Sequence, residues 1–303
     1  MKFLAVLNRD GGTLRSMDLD ALSDQIRQGL EPAGHTVVVD IVDGRDICHA
    51  IEAATKTRGI DVLMAGGGDG TISAAAAALA GSRKALAVLP AGTMNLFAHS
   101  LGVPLDLSGA VASFADGQIR KVDVARANGR VFIHQFSVGL HAKLVAQRQR
   151  MEFQSRFGKI RASAKAAIDT ILHPPNLRVE LEIDGERRLV RTPGIGVSNN
   201  VFGEGHLPYA DDPAGGVLGV YITHARQRSE MILFSMNMAL GRWETNNQVE
   251  LFQAQTVTLR MKPARRRHKC VVDGELSDMD PETHIEIAKG ALRVLVPRSP
   301  QDG

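Results

Sequence analysis

Asp61-Val-Leu-Met-Ala-Gly66-Gly-Gly-Asp69-Gly-Thr71 carries an apolar run into a cluster of glycines, and the helix-forming stretch Ile72-Ser-Ala-Ala-Ala-Ala-Ala-Leu79 follows it. The order predicts a buried strand, a tight loop and a helix. Glycines let the backbone turn sharply and come close to a ligand, and the N–H groups that open a helix attract anions. The loop chemistry therefore points to phosphate. Asp69 is out of place beside phosphate unless a cation stands between them, and Mg²⁺ carried by a nucleotide supplies one. Gly67, Gly68, Asp69, Gly70 and Thr71 are thus candidates for holding Mg-ATP, with Asp69 meeting the metal through the nucleotide. The same residue types also suit a plain strand-to-helix connection. The segment lacks the Gly-Lys-Ser/Thr of a Walker loop, and it is not a Gly-x-Gly-x-x-Gly fingerprint near the N-terminus.

Outward from this loop, short apolar runs at Phe3–Leu7, Val37–Val42, Val62–Ala65 and Leu86–Leu89 alternate with helical stretches up to about Ala115. This alternation predicts a parallel sheet covered by helices. Leu19, Leu22, Ile26 and Leu30 recur at helical spacing and give the first helix one apolar face, which Gly34 ends. A second loop, Leu89-Pro-Ala-Gly92-Thr93-Met-Asn95-Leu-Phe-Ala98, leaves the next strand on the same sheet edge. Ligands of open parallel sheets bind beyond the carboxyl ends of the strands, where such loops converge. Gly92, Thr93 and Asn95 join the candidate nucleotide residues, although Thr93 is equally suited to capping the helix that follows.

After Lys121 the pattern changes to strands joined by tight turns such as Asn128-Gly129 and Asp184-Gly185. Predicted strands are Lys121–Arg126, Val131–Val138, Leu177–Ile183, Arg187–Arg191, Val217–Thr223, Val257–Met261 and His284–Ile287, with helical insertions at about 140–172 and 230–240. A mostly antiparallel second domain is expected. The division falls at residues 1–125, a nucleotide-binding α/β domain, and 126–290, a substrate domain, with a cleft between them.

The 303 residues suit two domains, and 44% hydrophobic with 23% charged residues describes a globular chain rather than a disordered one. A formal net charge of +3 is too small to argue for nucleic acid. Cys48 and Cys270 are too few for a disulfide framework, which fits a reducing cytoplasm. No stretch reaches the roughly 20 apolar residues that span a bilayer, so membrane contact is expected to be peripheral, at the inner surface. Lys143, Arg148, Arg150, Arg156, Lys159, Arg161 and Lys165 lie among Met151, Phe153, Phe157 and Ile160. That composition suits either a helix lying on an anionic membrane or a solvated insertion. Arg265-Arg-Arg-His-Lys269 is a second basic cluster of the exposed-loop type.

Gly67-Gly-Asp-Gly-Thr71 followed by Leu89-Pro-x-Gly-Thr93-x-Asn95-x-x-Ala98 resembles the diacylglycerol kinase catalytic-domain family, which includes YegS-like and sphingosine kinases. The likeness runs from Asn8 to Asp273-Gly-Glu275 and Pro297. The resemblance implies an N-terminal Rossmann-like domain, a C-terminal antiparallel β-sandwich and ATP with Mg²⁺ as phosphoryl donor. It implies a lipid alcohol, such as diacylglycerol or a sphingoid base, as acceptor. It matches Asn8 and Gly11-Gly12 to the first nucleotide loop, with Arg9 where the family has proline. It matches Ala291–Pro297 to a segment completing the first domain, Asp123 to an acid near the active site, and Glu275 to the base that takes the hydroxyl proton. Read without the resemblance, Asp273-Gly274 is only a turn and Asp123 a solvent-facing strand acid. His141 stands where relatives carry aspartate, and Gly215 and Gly219 replace two acids of an Asp-Gly-x-Leu-Asp segment, so a structural Mg²⁺ there is not carried over; Asp211 and Asp212 suit a solvated turn. Competing classes are a soluble-substrate kinase of the NAD kinase and phosphofructokinase type, which also uses a Gly-Gly-Asp-Gly loop, and a nucleotide-binding regulator without turnover.

Overall fold

The computed structural model describes residues 1–150, 173–225, 227–263 and 268–298. The chain divides into two units: Met1–Val124 with Asp212–Ala214 and Ala288–Gly303, and Ala125–Asp211 with Gly215–Ile287.

In the first unit, β1 (Lys2–Asn8), α1 (Leu19–Leu30), β2 (Thr36–Val42), α2 (Ile47–Lys56), β3 (Val62–Gly67), α3 (Asp69–Leu79) and β4 (Ala85–Pro90) alternate. Two short helices, α4 (Leu96–Ser100) and α5 (Leu107–Ala115), lead into β5 (Gln118–Ala127). The strands are parallel in the order β2-β1-β3-β4, and the end of the last strand, β16 (Glu282–Val296), continues the order beside β4. Every residue of β3 and β4 is buried, as expected of strands covered on both faces. Helix α1 begins where the Asp18 carboxylate accepts the N–H groups of Asp20 and Ala21, and it buries Leu22, Ile26 and Leu30. A short 3₁₀ turn then closes at Gly34 with φ of 80°, a left-handed value natural to glycine.

The second unit contains β6 (Arg130–Phe132), β7 (Gln135–Gly139), α6 (Leu140–Arg150), β8 (Leu177–Ile183), β9 (Glu186–Thr192) and β10 (Gly194–Asn199). Then follow β11 (Leu218–Thr223), α7 (Arg228–Ala239), β12 (Val249–Ala254), β13 (Thr256–Lys262), β14 (His268–Val272) and β15 (Glu275–Met279). One layer pairs β16, β13, β8 and β9; the other runs β12-β11-β10-β7-β14-β15, and all these pairs are antiparallel. Val179, Leu181, Val257 and Leu259 of the first layer meet Phe136, Val138, Ile195, Val197 and Val220 of the second in one core, which makes the unit a β-sandwich. The fold is therefore an α/β parallel-sheet domain followed by an antiparallel sandwich. The sequence pattern placed one strand over Val131–Val138; the structure has two, β6 and β7, broken at Ile133-His134.

Candidate active site

Three loops meet at the carboxyl ends of β1, β3 and β4. The Asn8 amide, buried at the end of β1, donates to Thr71 Oγ1 at 3.0 Å, tying the first loop to the head of α3. Ala91 links the other two: its N–H donates to Gly67 O at 3.0 Å, and its carbonyl accepts from Thr13 N at 2.8 Å. Gly12 has φ of +48°, and a side chain there would collide with the Ala91 carbonyl, so this crossing needs glycine. A Cβ on Gly92 would lie 2.9 Å from Gly68 Cα, so the second and third loops touch backbone to backbone.

Asp69 is the first residue of α3, and its carboxylate closes the third loop. One oxygen accepts Asn95 N at 3.1 Å and the other accepts Leu96 N at 2.9 Å. Asn95 in turn folds its amide onto Gly92, accepting from Gly92 N at 2.8 Å and donating to Gly92 O at 3.0 Å. Asn95 is also the N-cap of α4, with φ of 49°, so Thr93 is not needed as a cap; it lies exposed beside Gly92. Gly70 is exposed at the mouth of the same cluster and Thr71 is buried beneath it. No cluster of three or more His, Cys, Asp or Glu side chains capable of holding a metal occurs among the described residues. Asp69 is nevertheless suited to Mg²⁺ that arrives on phosphate, because such an ion takes one or two carboxylates and draws its other ligands from phosphate and water.

Asp123, 2% exposed, does not face water. Its Oδ1 accepts Gly290 N at 2.7 Å, and its own N–H donates to Pro213 O at 2.9 Å. The carboxylate thus joins β5 to β16 within the first unit.

In the second unit, Asp273-Gly274 forms the β14–β15 turn with φ of 46° and 84°. The Asp273 carboxylate accepts three backbone N–H groups, Ile133 at 3.0 Å, His134 at 2.9 Å and Gln135 at 3.0 Å. Sequence reasoning saw a turn here and missed this clamp on the segment that leads from β6 into β7. Glu275 follows on β15, exposed, paired with Arg130 at 3.1 Å; Arg130 also donates to Ser277 Oγ at 2.8 Å.

A cavity of about 420 Å³ lies on the face of the β7-β10-β11 layer that points away from the sandwich core. Strand alternation builds it: Phe136, Val138, Val197 and Val220 turn into the core, while Gln135, Ser137, Gly196 and Tyr221 turn toward the cavity. Leu144 of α6, Phe234 and Met238 of α7, and Trp243 supply the rest of a largely apolar wall. At its aromatic end Phe202 stacks on Tyr221, 5.1 Å between ring centroids, and Burial raises the pKa of the Tyr221 phenol. At its polar end His141 Nδ1 lies 2.7 Å from Ser137 Oγ and 3.2 Å from Gln135 Nε2, and burial pushes the imidazole pKa down. The Gln135 amide nitrogen can only donate, which assigns Nδ1 as acceptor and the proton of the neutral ring to Nε2. No single residue signals this cavity in the sequence. The small and polar residues alternating with Val and Ile in β7 and β10 are its trace.

Where relatives carry acids, Gly219 has no room: a Cβ there would lie 2.6 Å from Ser198 Oγ. Asp211 pairs with His206 at 2.9 Å, and Asp212 accepts Ala214 N at 2.9 Å. Most of the basic stretch between Lys143 and Lys165, and residues 265–267 of the second basic cluster, lie outside the described residues. No helix among the described residues is long and apolar enough to cross a membrane.

Residues 2–127 match the model of the diacylglycerol kinase catalytic domain, and residues 135–296 match that of the YegS C-terminal NAD kinase beta sandwich-like domain. An uncharacterized protein from Synechocystis sp. is 25% identical over 303 residues, covering 95% of this chain and 67% of that protein. A Pseudomonas aeruginosa protein named "Probable lipid kinase YegS-like" is 41% identical over 118 residues, 38% of each chain. A crystal structure of a diacylglycerol kinase from Bacillus anthracis aligns with a TM-score of 0.72 at 19% identity, over 100% of this chain and 98% of that one, and shares the fold. The chain belongs to the family of diacylglycerol kinases and YegS-like lipid kinases.

Proposed function

We propose that this protein transfers the γ-phosphoryl group of ATP to a hydroxyl of a lipid such as diacylglycerol or a sphingoid base. The loops around Asn8, Gly67–Thr71 and Gly92–Asn95 bind the nucleotide, and Asp69 meets the Mg²⁺ that it carries. Mg²⁺, when bound, offsets phosphate charge. Glu275 accepts the acceptor's proton as the bond to phosphorus forms, the step for which a carboxylate is suited. Asp123 supports the first unit by holding Gly290 and is assigned a positioning role.

The observation that carries the lipid assignment is the cavity. Its walls are mainly aliphatic and aromatic, a lining that suits acyl chains and offers little to a dinucleotide or sugar phosphate. Its polar residue Gln135 donates its N–H to Asp273 and accepts the Asp273 N–H at 2.9 Å, two residues from Glu275. A lipid whose chains fill the cavity would thus present its hydroxyl near the Asp-Gly-Glu turn.

The test is transfer of labelled γ-phosphate from Mg-ATP to a panel of diacylglycerol, monoacylglycerol, a sphingoid base, NAD⁺ and a sugar phosphate. Label in an organic-phase lipid product is expected. Label in NAD⁺ or the sugar phosphate, with none in lipid, would replace this assignment by a soluble-substrate kinase.

A further inference from the structure

Helix α7 is apolar on two opposite sides. From Met231 to Leu240 it carries no charged residue. Its inner side chains, among them Phe234 and Met238, wall the cavity. Its outer side chains Ile232, Leu233, Met236 and Leu240 are 50%, 47%, 58% and 56% exposed. A surface helix of a globular protein ordinarily turns a polar face to water, and single exposed apolar residues are commonplace while clusters are not. Among the described residues, the other large exposed apolar side chains are scattered along the sequence; these four follow one another along one helix face.

The ends of the helix indicate what covers this face. Arg228 and Arg242 stand exposed at either end, the placement that lets guanidinium groups reach lipid headgroups while apolar side chains lie below. Glu230, the acid in the first turn, is folded back to accept the Gln227 N–H at 3.0 Å as part of a capping box. Four side chains on one helix cover far less than the roughly 800 Å² per partner of a stable protein interface, so a second copy of the chain is a poor occupant. A bilayer needs no such matched area.

We propose that the outer face of α7 is a membrane-docking surface that seats the chain in the headgroup layer of an anionic bilayer, with the cavity directly behind it. The proposal rests on the lipid-kinase assignment for its purpose, but its test needs no turnover. The full chain is floated with vesicles of phosphatidylcholine alone and of phosphatidylcholine with phosphatidylglycerol, without nucleotide. The wild type is expected to float, more strongly with the anionic vesicles. The combined variant Ile232→Ser, Leu233→Ser, Met236→Ser should lose at least about tenfold in partitioning to both. The pair Arg228→Gln, Arg242→Gln should lose about fivefold per arginine, on anionic vesicles only. Circular dichroism and thermal unfolding establish that each variant is folded.

A triple variant that is folded and floats like wild type overturns the proposal, and so does a wild type that does not float. A wild-type dimer that the triple substitution splits, with flotation unchanged, identifies the face as a contact between copies and also overturns it. A chain that floats yet phosphorylates no lipid sinks the activity and leaves this surface standing.

Discussion

The carboxylate of Asp69 and the backbone of Asn95 are joined at 3.1 Å, with the second carboxylate oxygen held by Leu96 N at 2.9 Å, so the head of α3 fixes the shape of the loop after β4. An acid read from sequence as a partner for Mg-nucleotide is in the structure a loop clamp. Asp69→Ala should remove both bonds, cost about 2 kcal/mol of unfolding free energy and abolish nucleotide binding. Asp69→Asn, which keeps one acceptor oxygen, should lie between. Urea unfolding beside nucleotide titration checks this; an unchanged urea midpoint in Asp69→Ala would show that other contacts hold the loop.

Glu275 is exposed and its pair with Arg130 is a surface one, so Glu275→Gln should change stability by less than about 0.5 kcal/mol. Transfer should nevertheless slow by about 10² to 10⁴, the usual worth of general-base assistance, with ATP affinity kept. A single-turnover assay with nucleotide titration separates the two. If affinity falls in step with rate, Glu275 is a structural or metal residue; if neither changes, the base lies elsewhere.

Asp273 should behave in the opposite way. Its carboxylate serves three N–H groups, so Asp273→Ala should cost about 3 kcal/mol, part of it from placing alanine at positive φ. Asp273→Asn tolerates the backbone and keeps one acceptor, and a loss of about 1 to 2 kcal/mol is expected. Chemical denaturation reads both; equal stability of all three proteins would refute the clamp.

Burial lowers the pKa of His141 from its ordinary 6.5. Below pH 6.5 the unfolded chain takes a proton on this ring that the folded chain refuses until the pH reaches its lower value. The contribution to stability is therefore full above pH 6.5 and falls as the pH drops through that window. His141→Gln should flatten the decline by up to about 1.4 kcal/mol per pH unit. Unfolding free energies measured across the window would decide, and identical slopes would exclude a titrating His141.

The parallel half of the fold was legible because its strands are short apolar runs between helices, and β1, β2, β3 and β4 each extend the predicted run by only one or two residues. The sandwich was less so. Gly194-Ile-Gly-Val-Ser-Asn199 is absent from the predicted strands, yet it is β10, whose small residues keep the cavity floor clear. The break between β6 and β7, where the chain passes from one sheet to the other, was invisible because the Asp273 carboxylate that pins it lies far along the chain. The glycine-rich loops could be seen as motifs, since each is local; the cavity could not, because β7, β10, β11, α6 and α7 all contribute to it. Asp123 has an ordinary strand context, and only the fold brings Gly290 to it.

The pairing of Arg293, Val294 and Leu295 with Ala85, Leu86 and Ala87 has a consequence for biosynthesis. On the ribosome, β1 to β4 emerge long before residue 293, so the outer edge of β4 waits without its neighbour while some two hundred further residues are made. An unpaired edge is a template for wrong partners. A nascent chain stalled or cleaved ahead of β16 would therefore carry every glycine-rich loop motif of the parallel sheet and still display an adhesive sheet edge, making premature termination a route to aggregation rather than to a folded half.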